Sequence, residues 1–359
     1  MDKDLAGFRD RRLAEKIVAK ICGTASGMGP VRLMHVCGTH EDAIAKAGIR
    51  SLLPDNMEII SGPGCPVCVI TAKEIDEAIA LAKEGACVTS FGDMLKVPGS
   101  ASSLAEAKSE GAEVRIVYSI TDAVKLAKEL PGKEVVHVGI GFETTAPSTA
   151  VELLSAPENF YVLSCHRTIP PAMDFLLSEG DTKINGFIDP GHVSAIIGLG
   201  PYRSVGEKYK VPQVVAGFEP VDVLYGVLLL LEMIKQKDHG VRNEYSRVVK
   251  EDGNKKALDV LEKVFEPCDV KWRGFPAIPG SGLAIKEEYG EHDARIKFRI
   301  DVKEAPEPKG CACGKILKGI AYPADCPLFA ERCTPDDPVG PCMVSGEGSC
   351  HIAYKYGRK

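Results

Sequence analysis

The chain has 359 residues, of which 45 % are hydrophobic and 26 % charged, with a formal net charge of −6. That is the make-up of a globular protein long enough for two or three cores, and it excludes a disordered chain. The negative balance gives no general attraction to phosphate backbones, so nucleic acid is not an expected partner.

In chain order, the opening stretch 1–20 lacks the apolar core of a signal peptide. From about residue 30 to 220 one pattern recurs: a short β-branched apolar run, a turn of Gly, Pro, Ser or Thr, then a helix-like stretch. The runs are 31–36, 57–61, 86–90, 114–119, 135–139, 160–164, 186–189 and 214–217, and segments such as 72–84 and 121–130 carry helical periodicity between them. This alternation predicts parallel α/β sheet. Eight such strands can close as a barrel or form two open sheets of about four strands each, with Pro131-Gly132 as a seam. Residues 222–265 read as helical, and 266–282 as a Pro/Gly-rich passage. Residues 305–310 read as a linker into a cysteine-rich tail. The longest strongly apolar run, 221–234, carries Asp222 and Glu232 and is too short to cross a bilayer. No membrane partner is expected, and a cytoplasmic location is. In that reducing compartment thirteen cysteines point to metal or redox use. Cys22, Cys87 and Cys165, alone in apolar stretches, are expected to be small buried hydrophobes.

The unusual residues fall at the ends of the apolar runs. Cys37-Gly38-Thr39-His40-Glu41 follows the first, Gly62-Pro63-Gly64-Cys65-Pro66-Val67-Cys68 the second and Gly141-Phe142-Glu143-Thr144-Thr145 the fifth. Asp189-Pro190-Gly191-His192 follows the seventh and Gly217-Phe218-Glu219-Pro220 the eighth. Loops at the carboxyl ends of parallel strands share one edge of a sheet, so these motifs are expected to converge on one cleft. Cys65 and Cys68 can chelate one metal, or cycle between dithiol and disulfide with the first thiol activated at a helix N-terminus. Cys37 can add a third thiolate. His40 can be a ligand, a proton-transfer group or a hydrogen-bonded structural residue. Glu143, His192 and Glu219 are weaker candidates, each able simply to cap a helix or bond the backbone. The tail is spaced Cys311-x-Cys313-x12-Cys326-x6-Cys333-x8-Cys342-x7-Cys350. A tetrahedral zinc site wants two CxxC-like knuckles, which are missing, whereas a [4Fe–4S] cluster tolerates irregular spacing. Iron–sulfur, zinc and disulfides all stay open, the first favoured. Phosphate-loop, HExxH and GxGxxG motifs do not occur.

The segments Met34-His-Val-Cys-Gly-Thr-His-Glu41, Gly62-Pro-Gly-Cys-Pro-Val-Cys68, Gly141-Phe-Glu-Thr-Thr-Ala-Pro147 and Trp272-Arg-Gly274, with the tail from Cys311 to Cys350, run in order over nearly the whole chain. In this the chain closely resembles the HypD family of hydrogenase maturation factors. The resemblance implies a scaffold, rather than a conventional turnover enzyme, on which the Fe(CN)2CO unit of [NiFe]-hydrogenase is assembled. It implies HypC as a partner chaperone and HypE as the deliverer of cyanide. It further implies that Cys37, Cys65 and Cys68, with His40, form the site for a mononuclear iron carrying CN and CO. Four tail cysteines would hold a [4Fe–4S] cluster, assigned as Cys313, Cys326, Cys333 and Cys350, leaving Cys311 and Cys342 as a disulfide pair or alternative ligands. The expected architecture is α/β: two Rossmann-like parallel α/β units, 1–130 and 131–240, then a helical and Cys-rich iron–sulfur domain, 241–359. The rival expectation is a stand-alone, cluster-fed thiol–disulfide oxidoreductase.

Overall fold

The computed structural model describes residues 7–304 and 306–357. Ala305, the first residue of the expected linker, and the extreme start of the chain lie outside them. All eight apolar runs form strands: β1 (Val31–His35), β2 (Met57–Ser61), β3 (Cys87–Ser90), β4 (Val114–Ile116), β5 (Val135–Gly141), β6 (Phe160–His166), β7 (Gly186–Pro190) and β8 (Gln213–Ala216). Three further strands follow, β9 (Val241–Asn243), β10 (Phe265–Lys271) and β11 (Ala277–Ile285). Strands β3, β5, β7 and β8 are buried along their whole length. That explains the Val- and Ile-rich run of β5, since helices cover both faces of a parallel sheet.

The strands make two parallel sheets, in the orders β2-β1-β7-β8-β9 and β4-β3-β5-β6, and one antiparallel pair, β10-β11. Two open parallel sheets match the expected Rossmann-like units, but the strands do not divide at Pro131-Gly132. The chain leaves the first sheet after β2, builds the whole second sheet from β3 to β6, and returns at β7, where Leu33 pairs with Gly186. A boundary at 130/131 therefore runs through the second sheet, between β4 and β5. A boundary at 240/241 separates β9 from β8, with which it pairs.

The stretch expected to be helical over 222–265 is two helices, Pro220–Gln236 and Lys255–Val264, with β9 between them. The Pro/Gly-rich passage is the β10–β11 hairpin. Its Pro267 and Pro279 are tolerated because a two-stranded ribbon has free edges on which a missing N–H costs nothing. The register shift between Cys268 and Val270 is the bulge that such residues bring. The hairpin rests on the second sheet, where Thr168 N–H donates to Ser281 O at 3.0 Å.

The tail contains three short helices, Cys313–Leu317, Pro341–Val344 and Ser349–Tyr356. It does not stand apart. Gly319 sits so close to Met34 and Ile60 that a Cβ there would lie 2.7 Å from the Met34 side chain. The Ser61 and Ser349 hydroxyls meet at 2.8 Å. One continuous core holds Cys65, Cys68 and Val69 together with Trp272, Phe275, Cys313, Cys326, Cys333, Cys342 and Cys350. Two smaller cores lie beneath the outer helices. Among the described residues, no helix is long and apolar enough to cross a membrane.

Candidate functional site: two thiol centres in one core

The CGTHE loop ends β1, and Cys37 is the N-cap of the helix Gly38–Lys46. The GPGCPVC loop ends β2, the neighbouring strand, and the two loops are in backbone contact. Gly38 N–H donates to Gly64 O at 3.1 Å. A Cβ on Gly64 would lie 2.1 Å from both Cys37 N and Val36 C, so only glycine allows this approach. Gly64→Ala must push the loops apart. It should lower stability by about 1–3 kcal/mol, the usual cost of overpacking, seen as a fall in the thermal melting midpoint.

Cys65 and Cys68 are joined by a disulfide, with Cα atoms 5.2 Å apart. This is the oxidised member of the dithiol–disulfide pair, in which neither sulfur is a thiolate ligand. The following helix, Ala72–Lys83, starts four residues beyond Cys68, and its cap is Thr71, in a capping box with Glu74. The thiol at a helix N-terminus is therefore not Cys65 but Cys37. Burial, and then the nearby Glu347 carboxylate, push the Cys37 thiol up to about 11, against the amides of His40 and Thr39 that favour its thiolate. At neutral pH Cys37 rests protonated, and a bound metal would displace that proton.

His40 is buried and its Nε2 lies 2.9 Å from Gly217 O, which fixes that nitrogen as the N–H donor. Its Nδ1 has no partner among the described residues. Burial, with the neighbouring His35, lowers its pKa to about 3, so the ring is neutral. Beside it, burial raises the Glu41 carboxyl, but the Arg50 charge and hydrogen bonds from His35 and Arg50 overcome this and hold it at about 2. The Phe218 ring stands 4.8 Å from that of His40 and 4.1 Å from that of His192. The loops after β1, β7 and β8 therefore meet, as their place at one sheet edge predicts. Glu143 and Glu219 take the structural roles. Glu143 Oε1 accepts from Ile169 N–H at 3.0 Å, and burial raises its carboxyl to about 7. Glu219 caps the helix Pro220–Gln236 and pairs with Arg9 at 2.8 Å.

All six tail cysteines line one small cavity, together with Leu328, Phe329, Gly340 and Met343. The Cys313 and Cys342 sulfurs are 2.7 Å apart, and Val339 N–H donates to Cys333 Sγ at 3.3 Å. Cys311 and Cys342 are not bonded to each other. Among the described residues, no three His, Cys, Asp or Glu side chains are spaced around a point as a bare ion requires. Cys87 and Cys165 are buried as expected, whereas Cys22 is exposed on the helix Arg11–Ala25.

Several contributions come from contacts between distant parts of the chain. Thr39 Oγ1 donates to Glu347 Oε1 at 2.7 Å, across 308 residues of chain. Arg273 N–H donates to Val69 O at 2.9 Å, tying the WRG segment to the residue after Cys68. A Cβ on Gly274 would lie 2.2 Å from Gly314 Cα, so WRG also lies flat against the Cys-x-Cys-Gly turn. Asp189 is fully buried with neither carboxylate oxygen partnered among the described residues, and burial raises its pKa well above the ordinary carboxylate value. An Asp ending an apolar parallel strand is the one sequence cue that can flag it.

The family model "Hydrogenase formation hypA family", HypD, matches residues 12–357. A putative hydrogenase expression/formation protein of Methanocaldococcus jannaschii is 51% identical over 99% of this chain and 100% of its own length. The hydrogenase maturation factor HypD2 of Bradyrhizobium diazoefficiens is 43% identical over 98% of this chain and 96% of its own. HypD of Cupriavidus necator is 42% identical over 99% and 97%. With near-complete coverage at these identities, and with the cysteine loops brought together as described, the chain belongs to the HypD family of hydrogenase maturation factors.

Proposed function

We propose that this chain is the cytoplasmic scaffold on which the Fe(CN)2CO unit of [NiFe]-hydrogenase is assembled, in complex with HypC and with cyanide delivered through HypE. The observation that carries the proposal is the single buried core joining the Cys65–Cys68 loop, itself against Cys37, to the nest of six tail cysteines. The donor set of that nest suits a [4Fe–4S] cluster: soft sulfur ligands, an apolar lining of Leu328, Phe329 and Met343, and a backbone N–H aimed at a sulfur. Cys313, Cys326, Cys333 and Cys350 are the proposed ligands, with Cys311 and Cys342 as the remaining pair. When bound, the cluster would supply electrons one at a time.

The chain's own residues do the rest. Two electrons and two protons open the Cys65–Cys68 disulfide to two thiols. With Cys37 these make three sulfur donors at one sheet edge, and each releases its proton to solvent as it binds iron. His40 holds the helix Gly38–Lys46 against the Gly217 loop, keeping Cys37 in place. Electron-rich thiolates suit a low-spin iron that takes strong-field cyanide and carbonyl ligands.

The disulfide also favours a second reading, a thiol–disulfide oxidoreductase. However, Cys65 is 4 % exposed and Cys68 fully buried, which closes them to a protein disulfide substrate. The test is anaerobic purification with HypC, followed by iron and sulfide analysis, Mössbauer and infrared spectra. About four irons and four sulfides per chain, an extra low-spin iron and cyanide and carbonyl stretches are expected. A cluster without those bands supports the oxidoreductase, and zinc without sulfide overturns the cluster.

A further inference from the structure

Arg273 is 1 % exposed, between the two thiol centres. Its backbone is tied to Val69 on one side, and Gly274 is pressed on Gly314, next to Cys313, on the other. Its guanidinium makes few bonds for so buried a cation. Nε donates to Glu307 Oε2 at 2.8 Å and Nη2 to Pro98 O at 3.4 Å, while Nη1 is buried with no partner among the described residues. A buried charge is costly to retain unless a counter-charge offsets it. Glu307, with its side chain 43% exposed, is a weak one.

We propose that Arg273 is the fixed cation of the six-cysteine nest, a positioning residue that sets the reduction potential of the group held there. This rests on the cluster assignment made above. Arg273 lies close to the nest, because its neighbour Gly274 is packed on Gly314, the residue that follows Cys313. Reduction of a thiolate-bound cluster adds one negative charge without adding a ligand. A buried cation beside it therefore favours the reduced state, because charge and burial are among the levers that set such potentials. Glu307 opposes Arg273, so removing each should move the potential in opposite directions.

The experiment is a dithionite titration of the anaerobically purified full-length chain, followed by electron paramagnetic resonance, with iron and sulfide measured on the same samples. Arg273→Gln should keep its iron and sulfide yet shift to a more negative potential. At fixed potential the reduced-to-oxidised ratio should fall about tenfold, or 59 mV for one electron. Arg273→Lys should hold the wild-type value more closely. Glu307→Gln, an exposed change that cannot unfold the nest, should shift the potential the other way and by less. A loaded Arg273→Gln variant with unchanged potential overturns the proposal, as do shifts of the two variants in the same direction. Should Arg273→Gln fail to fold, an unmoved Glu307→Gln potential overturns it instead. Wild-type chain without iron and sulfide overturns the cluster assignment, and this inference falls with it.

Discussion

Alanine at Cys37, Cys65 or Cys68 should abolish maturation of a dependent hydrogenase while leaving the iron and sulfide content of the purified chain at the wild-type level. The expected loss of hydrogenase activity is at least about 100-fold, above the 10–100-fold typical when only a group behind a metal ligand is removed. Unfolding is not the explanation such a loss would call for. The Cys65–Cys68 bridge closes a loop of four residues, and chain entropy limits its contribution to about 2 kcal/mol. Cys37→Ala removes one sulfur from a loop that the Gly38–Gly64 hydrogen bond still holds. Cys22→Ala, exposed on an outer helix, is the control and should mature hydrogenase normally. The measurement is hydrogenase activity in complemented cells beside iron and sulfide analysis of the purified variants. Normal maturation in any of the three would remove that cysteine from the site.

Arg167→Met should cost about 3–5 kcal/mol of stability, the usual result of stripping one partner from a buried ion pair. Arg167 and Glu74 keep 2% and 10% of their side-chain surface. Arg167 Nη2 donates to both Glu74 oxygens at 2.8 Å and to Lys271 O at 3.0 Å, while Nη1 serves the Cys165 and His166 carbonyls. Removing it leaves Glu74 with only Thr71 and the more distant Arg295, at 3.9 Å, and strands three carbonyls. Adding Glu74→Gln should recover part of the loss, because the uncompensated charge then disappears. The pair also sets a pH dependence. Burial raises the Glu74 carboxyl, but the charges of Arg167 and Arg295 outweigh that and hold it below the ordinary value. Its contribution is therefore complete above the ordinary carboxylate pKa and is lost as pH falls through the lowered one. The gap between wild type and Arg167→Met should shrink in acid. Urea unfolding followed by near-ultraviolet circular dichroism at neutral and acid pH measures both effects.

Much of this architecture is legible because parallel strands advertise themselves. Runs such as Val135-Val136-His137-Val138 need burial on both faces, and all eight of them are strands. Strand neighbours are a different matter. Nothing local tells β1 that its partner β7 lies beyond a complete second sheet, so the seam at Pro131-Gly132 is misplaced. The β10–β11 hairpin is hidden by Pro267, Pro279 and Gly282, residues that mark loops everywhere except at free edges and bulges. Of the five punctuated loops, those after β1, β2, β7 and β8 share one sheet edge, as the strand-end rule expects, whereas the loop after β5 lies on the other sheet. What Glu347, Arg273 and Asp189 do within their motifs stays hidden, because their contacts span long sequence distances or their burial leaves polar atoms unpartnered among the described residues.

The nesting of one sheet inside the other also orders events during synthesis. β3 to β6 are complete while the first sheet still consists of β1 and β2 alone, and pairings of long sequence separation form late. The Cys37 and Cys65–Cys68 loops, on adjacent early strands, therefore exist before the cleft around them does. Gly38 meets the backbone of Glu347, and Ser61 meets Ser349, only when the last residues emerge. The tail that carries the second thiol centre is thus also the stopper of the first, and a truncated chain would leave its early cysteines open to stray oxidants and metals.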